Sequence, residues 1–270
     1  MATLPQVAEA LERIAPLRLA AEWDTVGWLV GRRRESIARV MTCLSITRAV
    51  VREAVAEGID LLVSHHPLPF KPVARLTADT PTGDLLLEIA AAGIAVWSSH
   101  TAWDSAAGGI NDQLAALLQL EDVAPLKPDR VDPTIGLGRI GRAGGPAGAP
   151  APTVTALAQL LGARLGVPGA MVCGPAERPA GTVGIVCGSG GDCLPDVFAA
   201  GCRTFVTGEI RLHDALAAAH RDLAVIAVGH QASEQFALGP LGRRLEEAVP
   251  GIRCLASRAD ADPLSWIATH

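Results

Sequence analysis

The residues best equipped for chemistry in this 270-residue chain fall into three clusters. His65 and His66 follow the apolar run Leu61-Leu62-Val63, His100 and Asp104 follow Ile94-Ala95-Val96, and His230 and Glu234 follow Val225-Ile226-Ala227-Val228. Each cluster comes just after a short β-like segment, where ligands and catalytic groups collect in α/β proteins. Four imidazoles and two carboxylates exceed the needs of one transition ion, so the set points to a dinuclear metal centre. Imidazole nitrogen combined with carboxylate oxygen suits zinc, manganese, iron or cobalt better than magnesium or calcium. Two such ions about 3.5–4 Å apart clamp a bridging water, lower its pKa and polarise the bond it attacks, with Asp104 and Glu234 as bridges or anchors. A structural or regulatory dinuclear site is the competing reading.

The spacing supports convergence. In a continuing strand His65 and His66 would point to opposite faces, but a backbone turning before Pro67 lets them splay toward two neighbouring ions. His100 and Asp104 are four apart, and a turn or helix start over Thr101–Ser105 projects both the same way. His230 and Glu234 repeat that spacing, and Gly229 permits close backbone approach. Two further groups are candidates for chemistry. Glu209 and His213 could orient substrate or relay protons, or serve only as a helix cap. The segment Cys187-Gly188-Ser189-Gly190-Gly191-Asp192 is either an anion-binding turn or a plain tight turn, and it lacks a Walker lysine.

Strands and helices must alternate to place these groups. Helical spacing covers Thr3–Ala15; a strand is expected at Val40–Ile46, then a helix from Arg48 to Gly58, a strand at Leu61–Val63, a helix at Thr82–Ala92 and a strand at Ile94–Trp97. A further helix is expected from Gly109 to Leu120. Prolines at 125, 128, 133, 146, 150 and 152 and accompanying glycines then break regular structure, apart from a strand near Ile135–Ile140. Alternation resumes with helix Thr153–Leu165, strands near Thr182–Cys187 and Thr204–Thr207, helix His213–His220, strand Leu223–Val228 and a last helix from about Ala232 to Ala248. The expected organisation is an N-terminal α/β subdomain over 1–125, a junction over 126–152 containing a loop at Gly144–Pro152, and a C-terminal α/β subdomain over 153–270. The end of the latter, about 229–270, returns ligands to the site. Largely parallel or mixed sheets flanked by helices follow from this order.

Composition narrows the function. Hydrophobic residues make up 49% and charged residues 19%, enough for a sizeable core. A net charge of -5 and the absence of a basic patch argue against direct nucleic-acid binding. With 3% aromatics and no tyrosine, a base-stacking track for a single strand is not expected. The six cysteines form no Cys-x-x-Cys pair and read as small buried apolar residues. The most apolar segment, Leu85–Trp97, is interrupted by Glu88 and Gly93, and Met1-Ala2-Thr3-Leu4-Pro5 is unlike a signal peptide. A cytoplasmic protein without membrane contact is expected.

Several boxes resemble a known family. Glu22-Trp23-Asp24-Thr25-Val26-Gly27 is similar to the E-x-W-D-N-V-G signature of the NIF-three-like proteins, also described as GTP cyclohydrolase I type 2 homologues. Ser64-His65-His66-Pro67 resembles their S-H-H-P box, His100–Asp104 their H-x-x-x-D segment, and Gly108-Gly109-Ile110-Asn111-Asp112 their G-G-x-N-D. Thr207-Gly208-Glu209 and Gly229-His230-Gln231-Ala232-Ser233-Glu234 resemble T-G-D and G-H-x-x-S-E. The resemblance implies two α/β subdomains, a dinuclear site lined by the six residues above, a toroidal homohexamer, and a short form without an inserted central domain. Departures are Thr25 for asparagine, Glu209 for aspartate, and Ser45 for the acidic residue of a C-L-D-x-T segment.

Three functions compete. One is a metal-dependent hydrolase acting on GTP or another nucleotide-like substrate, the cyclohydrolase version opening the guanine imidazole ring with release of formate. The second is a phosphoester hydrolase using the same ions. The third is a metal-binding scaffold or regulator acting through assembly and partners.

Overall fold

The computed structural model describes residues 2–31, 36–144 and 150–265. The chain forms two compact units, one of Met1–Ala106 with Ala237–Ser265, the other built on Ala107–Phe236. Both are α/β, so the expected class holds: mixed sheets flanked by helices.

The first unit has a five-stranded sheet ordered Arg253–Ala256, Arg39–Cys43, Leu61–Ser64, Ala95–Ser98, Gly27–Val30. The first four strands are parallel and Gly27–Val30 closes the sheet antiparallel to Ala95–Ser98. The Leu61–Ser64 and Ala95–Ser98 strands are buried along their whole length, the signature of a sheet covered on both faces. Met41, Cys43, Leu62 and Val96 pack beneath Val50, Val51 and Ala54 of helix Arg48–Ala56 and Ile89 of helix Pro81–Ala92. Thr80 caps the latter helix by accepting from Gly83 N, Pro81 opens it, and Gly93 ends it.

The second unit has a six-stranded sheet ordered Met171–Cys173, Ala224–Ala227, Thr204–Glu209, Thr182–Ser189, Arg139–Ala143, Leu120–Ala124. Its three central strands are parallel; Met171–Cys173 and Arg139–Ala143 flank them antiparallel, and Leu120–Ala124 pairs antiparallel with Arg139–Ala143. Phe205, Val225 and Val186 meet Leu194 and Val197 of helix Leu194–Ala199 in its core.

The units part at Ala106 and Phe236 rather than within 126–152. The proline- and glycine-rich stretch belongs to the second sheet: Arg139–Ala143 pairs with Thr182–Ser189 on one side and Leu120–Ala124 on the other. Backbone pairing across glycines outweighed the local breaking signal. Of the expected loop at Gly144–Pro152, residues 145–149 lie outside the described residues. The helix expected over Ala232–Ala248 is two, Ala232–Gln235 and Leu238–Ala248. Pro240 cannot donate to the Phe236 carbonyl, which disfavours one continuous helix through this point. The second of these helices and the strand Arg253–Ala256 return to the first unit, where Arg244 lies over the buried Trp103 ring, 5.1 Å from its centroid.

Among the described residues no helix is long and apolar enough to cross a membrane. All six cysteines are free thiols, with Cys43, Cys187 and Cys202 buried. Burial pushes the thiols of Cys193 and Cys202 up to about 11 and that of Cys254 to about 12, so they stay protonated.

Candidate metal-ligand groups

In the first unit the sequence clusters converge. His65 and His66 continue the backbone pairing of their strand, His65 N donating to Cys43 O and His66 N to Leu44 O. The chain then turns at Pro67. Their ring centroids are 5.2 Å apart, and they lie 5.1 and 5.7 Å from the ring of His100. Each of the three imidazoles offers a nitrogen within 4.8 Å of the others. That is the geometry of a cation site built from neutral imidazoles. The expected helix start is present as His100–Ser105, and it places Asp104 Oδ1 3.6 Å from His65 Nε2. His100 itself has φ of 31°, a left-handed conformation that a non-glycine residue holds only when its surroundings impose it.

Asp24 is bonded to both His100 and Thr101. Its side chain is fully buried, and its carboxylate accepts from His100 Nδ1 at 2.7 Å, Thr25 N at 2.8 Å, Thr101 N at 3.2 Å and the Thr101 hydroxyl. Burial alone would raise its pKa, but the hydrogen bonds from His100 and Thr101 outweigh that and hold the carboxyl below its ordinary value. A carboxylate on Nδ1 fixes the tautomer and leaves Nε2 as the nitrogen with a lone pair.

Ser45 plays the corresponding part for His66, its Oγ lying 2.8 Å from His66 Nδ1. The turn carrying Ser45 is held by Asp260, whose carboxylate accepts from Leu44 N and, at 3.4 Å, from Ser45 N. Burial raises the Asp260 pKa despite these bonds. The acidic residue missing at position 45 is thus accompanied by a carboxylate from far along the chain. Neither Asp24 nor Asp260 was assigned a role from sequence; Asp24 was legible as part of a motif, Asp260 was not.

In the second unit His230 and Glu234 form the other group. Helix Ala232–Gln235 brings Glu234 Oε2 to 3.3 Å from His230 Nε2, and Glu209 Oε1 accepts from His230 Nδ1 at 3.0 Å. Glu234 first, then Glu209, raise the His230 pKa to about 9 against the opposing effect of burial. An imidazole with a carboxylate at each nitrogen is a place for a cation. Glu209 therefore orients His230. His213 sits exposed in the first turn of helix Leu212–His220, and among the described residues no hydrogen bond joins it to Glu209 or His230. That helix has no side-chain cap, so neither residue caps it.

The backbone around this pair is unusually close. Gly188 has φ of +61°, and a Cβ there would lie 2.2 Å from Glu234 Oε1 and 3.3 Å from His230 Nε2. At Gly208 a Cβ would meet Ser233 Oγ at 2.6 Å and the His230 Cα at 2.9 Å. Ser233 Oγ accepts from Gly188 N at 2.9 Å and donates to His230 O at 2.7 Å. The N–H of Gly190 is taken by Thr207 Oγ1 at 3.0 Å. The glycine-rich segment is accordingly a tight turn whose N–H groups at 188 and 190 serve the protein rather than an anion. Asn111 of the G-G-x-N-D box is likewise structural, accepting from Cys187 N at 2.9 Å. We expect Gly188→Ala to cost about 1–2 kcal/mol in stability from its left-handed backbone. It also displaces the Glu234 carboxylate, so calorimetric metal titration of the folded variant shows a lost or weakened equivalent; unchanged titration would show that Glu234 is not a ligand.

The chain matches the family described as Duf34/NIF3 (NGG1p interacting factor 3) over residues 2–263. It belongs to the Duf34/NIF3 family. It is 29% identical over 265 residues to a GTP cyclohydrolase 1 type 2 homolog of Clostridium perfringens, covering 98% of this chain and 99% of that one. A Streptomyces coelicolor protein of the same description is 36% identical over 239 residues, with 87% and 82% covered. The solved structure of a Bacillus cereus protein related to NIF3 has the same fold, with a TM-score of 0.89 at 20% identity over 98% of this chain and 99% of that one. As a Duf34/NIF3 protein the chain matches the clostridial relative over nearly the whole length of both.

Proposed function

We propose that this Duf34/NIF3 protein is a hydrolase that uses two divalent first-row metal ions, zinc, manganese, iron or cobalt, and acts on GTP or another nucleotide-like substrate. His65, His66, His100, Asp104, His230 and Glu234 are the ligands. The observation that carries this reading is the convergence of three imidazole nitrogens within 4.8 Å in the first unit. The donor set fits: His100 and His230 have Nδ1 held by a carboxylate and His66 has it held by a hydroxyl, the arrangement that prepares imidazole to ligate.

When bound, the ions supply an activated water and polarise the bond it attacks. The protein's own residues do the rest. Asp24, Ser45 and Glu209 hold the Nδ1 protons and ring orientations, while Asp104 and Glu234 would supply the anionic oxygens that hold the ions. Glu209 acts through His230 as a positioning residue, and His213 would act on substrate only from the exposed surface. The names of the clostridial and streptomycete relatives support a nucleotide-like substrate. We assign the protein to the cytoplasm and to a toroidal homohexamer, the latter tested by analytical ultracentrifugation.

Metal content per chain tests the centre. Elemental analysis should find near two first-row ions in the wild type, lost in a still-folded His65→Ala/His230→Ala double variant, and formate or phosphate release is then assayed on nucleoside triphosphates. No stoichiometric metal after purification without chelator, with reloading attempted, would sink the hydrolase reading and leave the scaffold role.

A further inference from the structure

Two aromatic rings in the first unit are exposed beside the histidine group. Trp23 is 65% and Phe70 51% exposed, in a protein with five tryptophans, four phenylalanines and no tyrosine. Their ring centroids are 6.1 Å apart with a 50° tilt. The imidazole of His100 lies 6.0 Å from Trp23 and 6.3 Å from Phe70, nearly perpendicular to both.

The two rings are anchored rather than loosely displayed. Trp23 lies in a turn closed by Asp24 N donating to Ala21 O at 2.9 Å. Both ends of that turn are tied to Thr101: Ala21 N donates to Thr101 Oγ1 at 2.9 Å, and the Asp24 carboxylate accepts from Thr101 N. Phe70 follows the turn that begins at Pro67, directly after the His65-His66 pair. Both aromatic residues are therefore rooted in the segments that carry or orient His100, His65 and His66. A pre-positioned aromatic surface loses little conformational freedom when a ligand stacks on it.

Charge selects among ring ligands. Lys71 and Arg75 follow Phe70 and are exposed, and among the described residues neither joins an ion pair. Glu22, exposed beside Trp23, is the opposing charge, so the Phe70 segment with Lys71 is the side on which an anionic substituent would be met. We infer that Trp23 and Phe70 form a stacking platform beside His100 for one planar heteroaromatic ring bearing an anionic substituent. A pair of rings accommodates a single base, in keeping with the absence of a longer aromatic track. The inference deepens the proposed function and depends on it only for the reaction that the ring meets, since stacking itself requires no metal.

The test is calorimetric titration of the full-length protein, as purified and after chelator treatment, with GMP, AMP, CMP and ribose 5-phosphate. At least one nucleotide should bind in both forms, with ribose 5-phosphate at least tenfold weaker. Trp23→Ala should weaken nucleotide binding roughly tenfold or more, Trp23→Phe should retain most of it, and metal content should match wild type in both. The platform is overturned if no nucleotide binds, or if Trp23→Ala binds nucleotide as the wild type does. The second result with an altered sedimentation coefficient would identify the rings as a contact between copies. Failure of the metal centre gives a different pattern, nucleotide binding without stoichiometric metal.

Discussion

Replacing Asp24 by asparagine should weaken metal binding by about 10- to 100-fold, the usual effect of removing a carboxylate that orients a ligating histidine. The Asp24 side chain has no exposure to solvent, and its oxygens are saturated by His100 Nδ1, Thr25 N, Thr101 N and the Thr101 hydroxyl. Asparagine keeps the shape. It replaces one acceptor oxygen by an NH₂ group and removes the negative charge behind the imidazole. If the NH₂ faces His100, the ring must flip its tautomer or turn away, and either change takes the Nε2 lone pair from the histidine group. The positive φ of His100 makes this position sensitive, because the Asp24 contact joins the bonds from Ala102 N and Trp103 N to Ser99 O in holding the start of helix His100–Ser105. Metal affinity is measured by competition with a chromophoric chelator, with circular dichroism confirming the fold. Wild-type affinity in a folded Asp24→Asn protein would show that Asp24 only shapes the turn.

Arg139→Met should destabilise the protein by about 3 kcal/mol, the lower end of the cost of breaking a buried charge pair on one side, because the Asp112 side chain is 29% exposed. Arg139 is 2% exposed. Its guanidinium grips the Asp112 carboxylate with two nitrogens, the Nη2 contact at 2.9 Å. Nη1 also donates to the carbonyls of Gly136 at 2.8 Å and Gly138 at 2.7 Å. Methionine fills part of the volume but removes the guanidinium from both carbonyls and from the carboxylate. What remains is weaker support, Asp112 from Gly108 N at 2.6 Å and Gly138 O from Leu126 N at 3.4 Å. Arg139→Lys should recover only a fraction, since a point ammonium cannot reproduce the planar fork. Urea denaturation measures both variants, and a loss below about 1 kcal/mol for Arg139→Met would mean that water replaces the network freely. This ion pair ties the G-G-x-N-D box to the proline- and glycine-rich stretch, so the destabilisation belongs to the second unit.

Much of the fold was legible in the residues themselves. The Leu61–Ser64, Ala95–Ser98 and Ala224–Ala227 strands are short, wholly apolar or nearly so, and buried throughout, so composition alone marked them. The helices Pro81–Ala92 and Val154–Leu165 declared themselves through apolar spacing, threonine caps and terminal glycines. The edge strands did not. Leu120–Ala124 reads Leu-Glu-Asp-Val-Ala and is mostly exposed, and Arg253–Ala256 begins with a charged residue. Such segments become strands because a neighbour offers backbone partners, a condition that local pattern does not encode. The same cause misplaced the boundary between units: proline and glycine mark breaks in local structure, whereas a boundary is set by which strands pair.

The candidate ligand side chains were set by the sequence in a stronger sense. His, Asp and Glu immediately after apolar runs, at i, i+4 spacing, are a chemical inventory, and helix geometry delivers that spacing wherever a turn forms. What only the tertiary structure decided is how those candidate side chains are held. Asp24 reaches His100 across 76 positions, and Asp260 reaches the turn at Ser45 across 215. Glu209 meets His230 because the strands Thr204–Glu209 and Ala224–Ala227 lie side by side in parallel register. Hydrogen bonds of this kind depend on where folding brings distant backbone segments, and no period or composition of the chain records that distance.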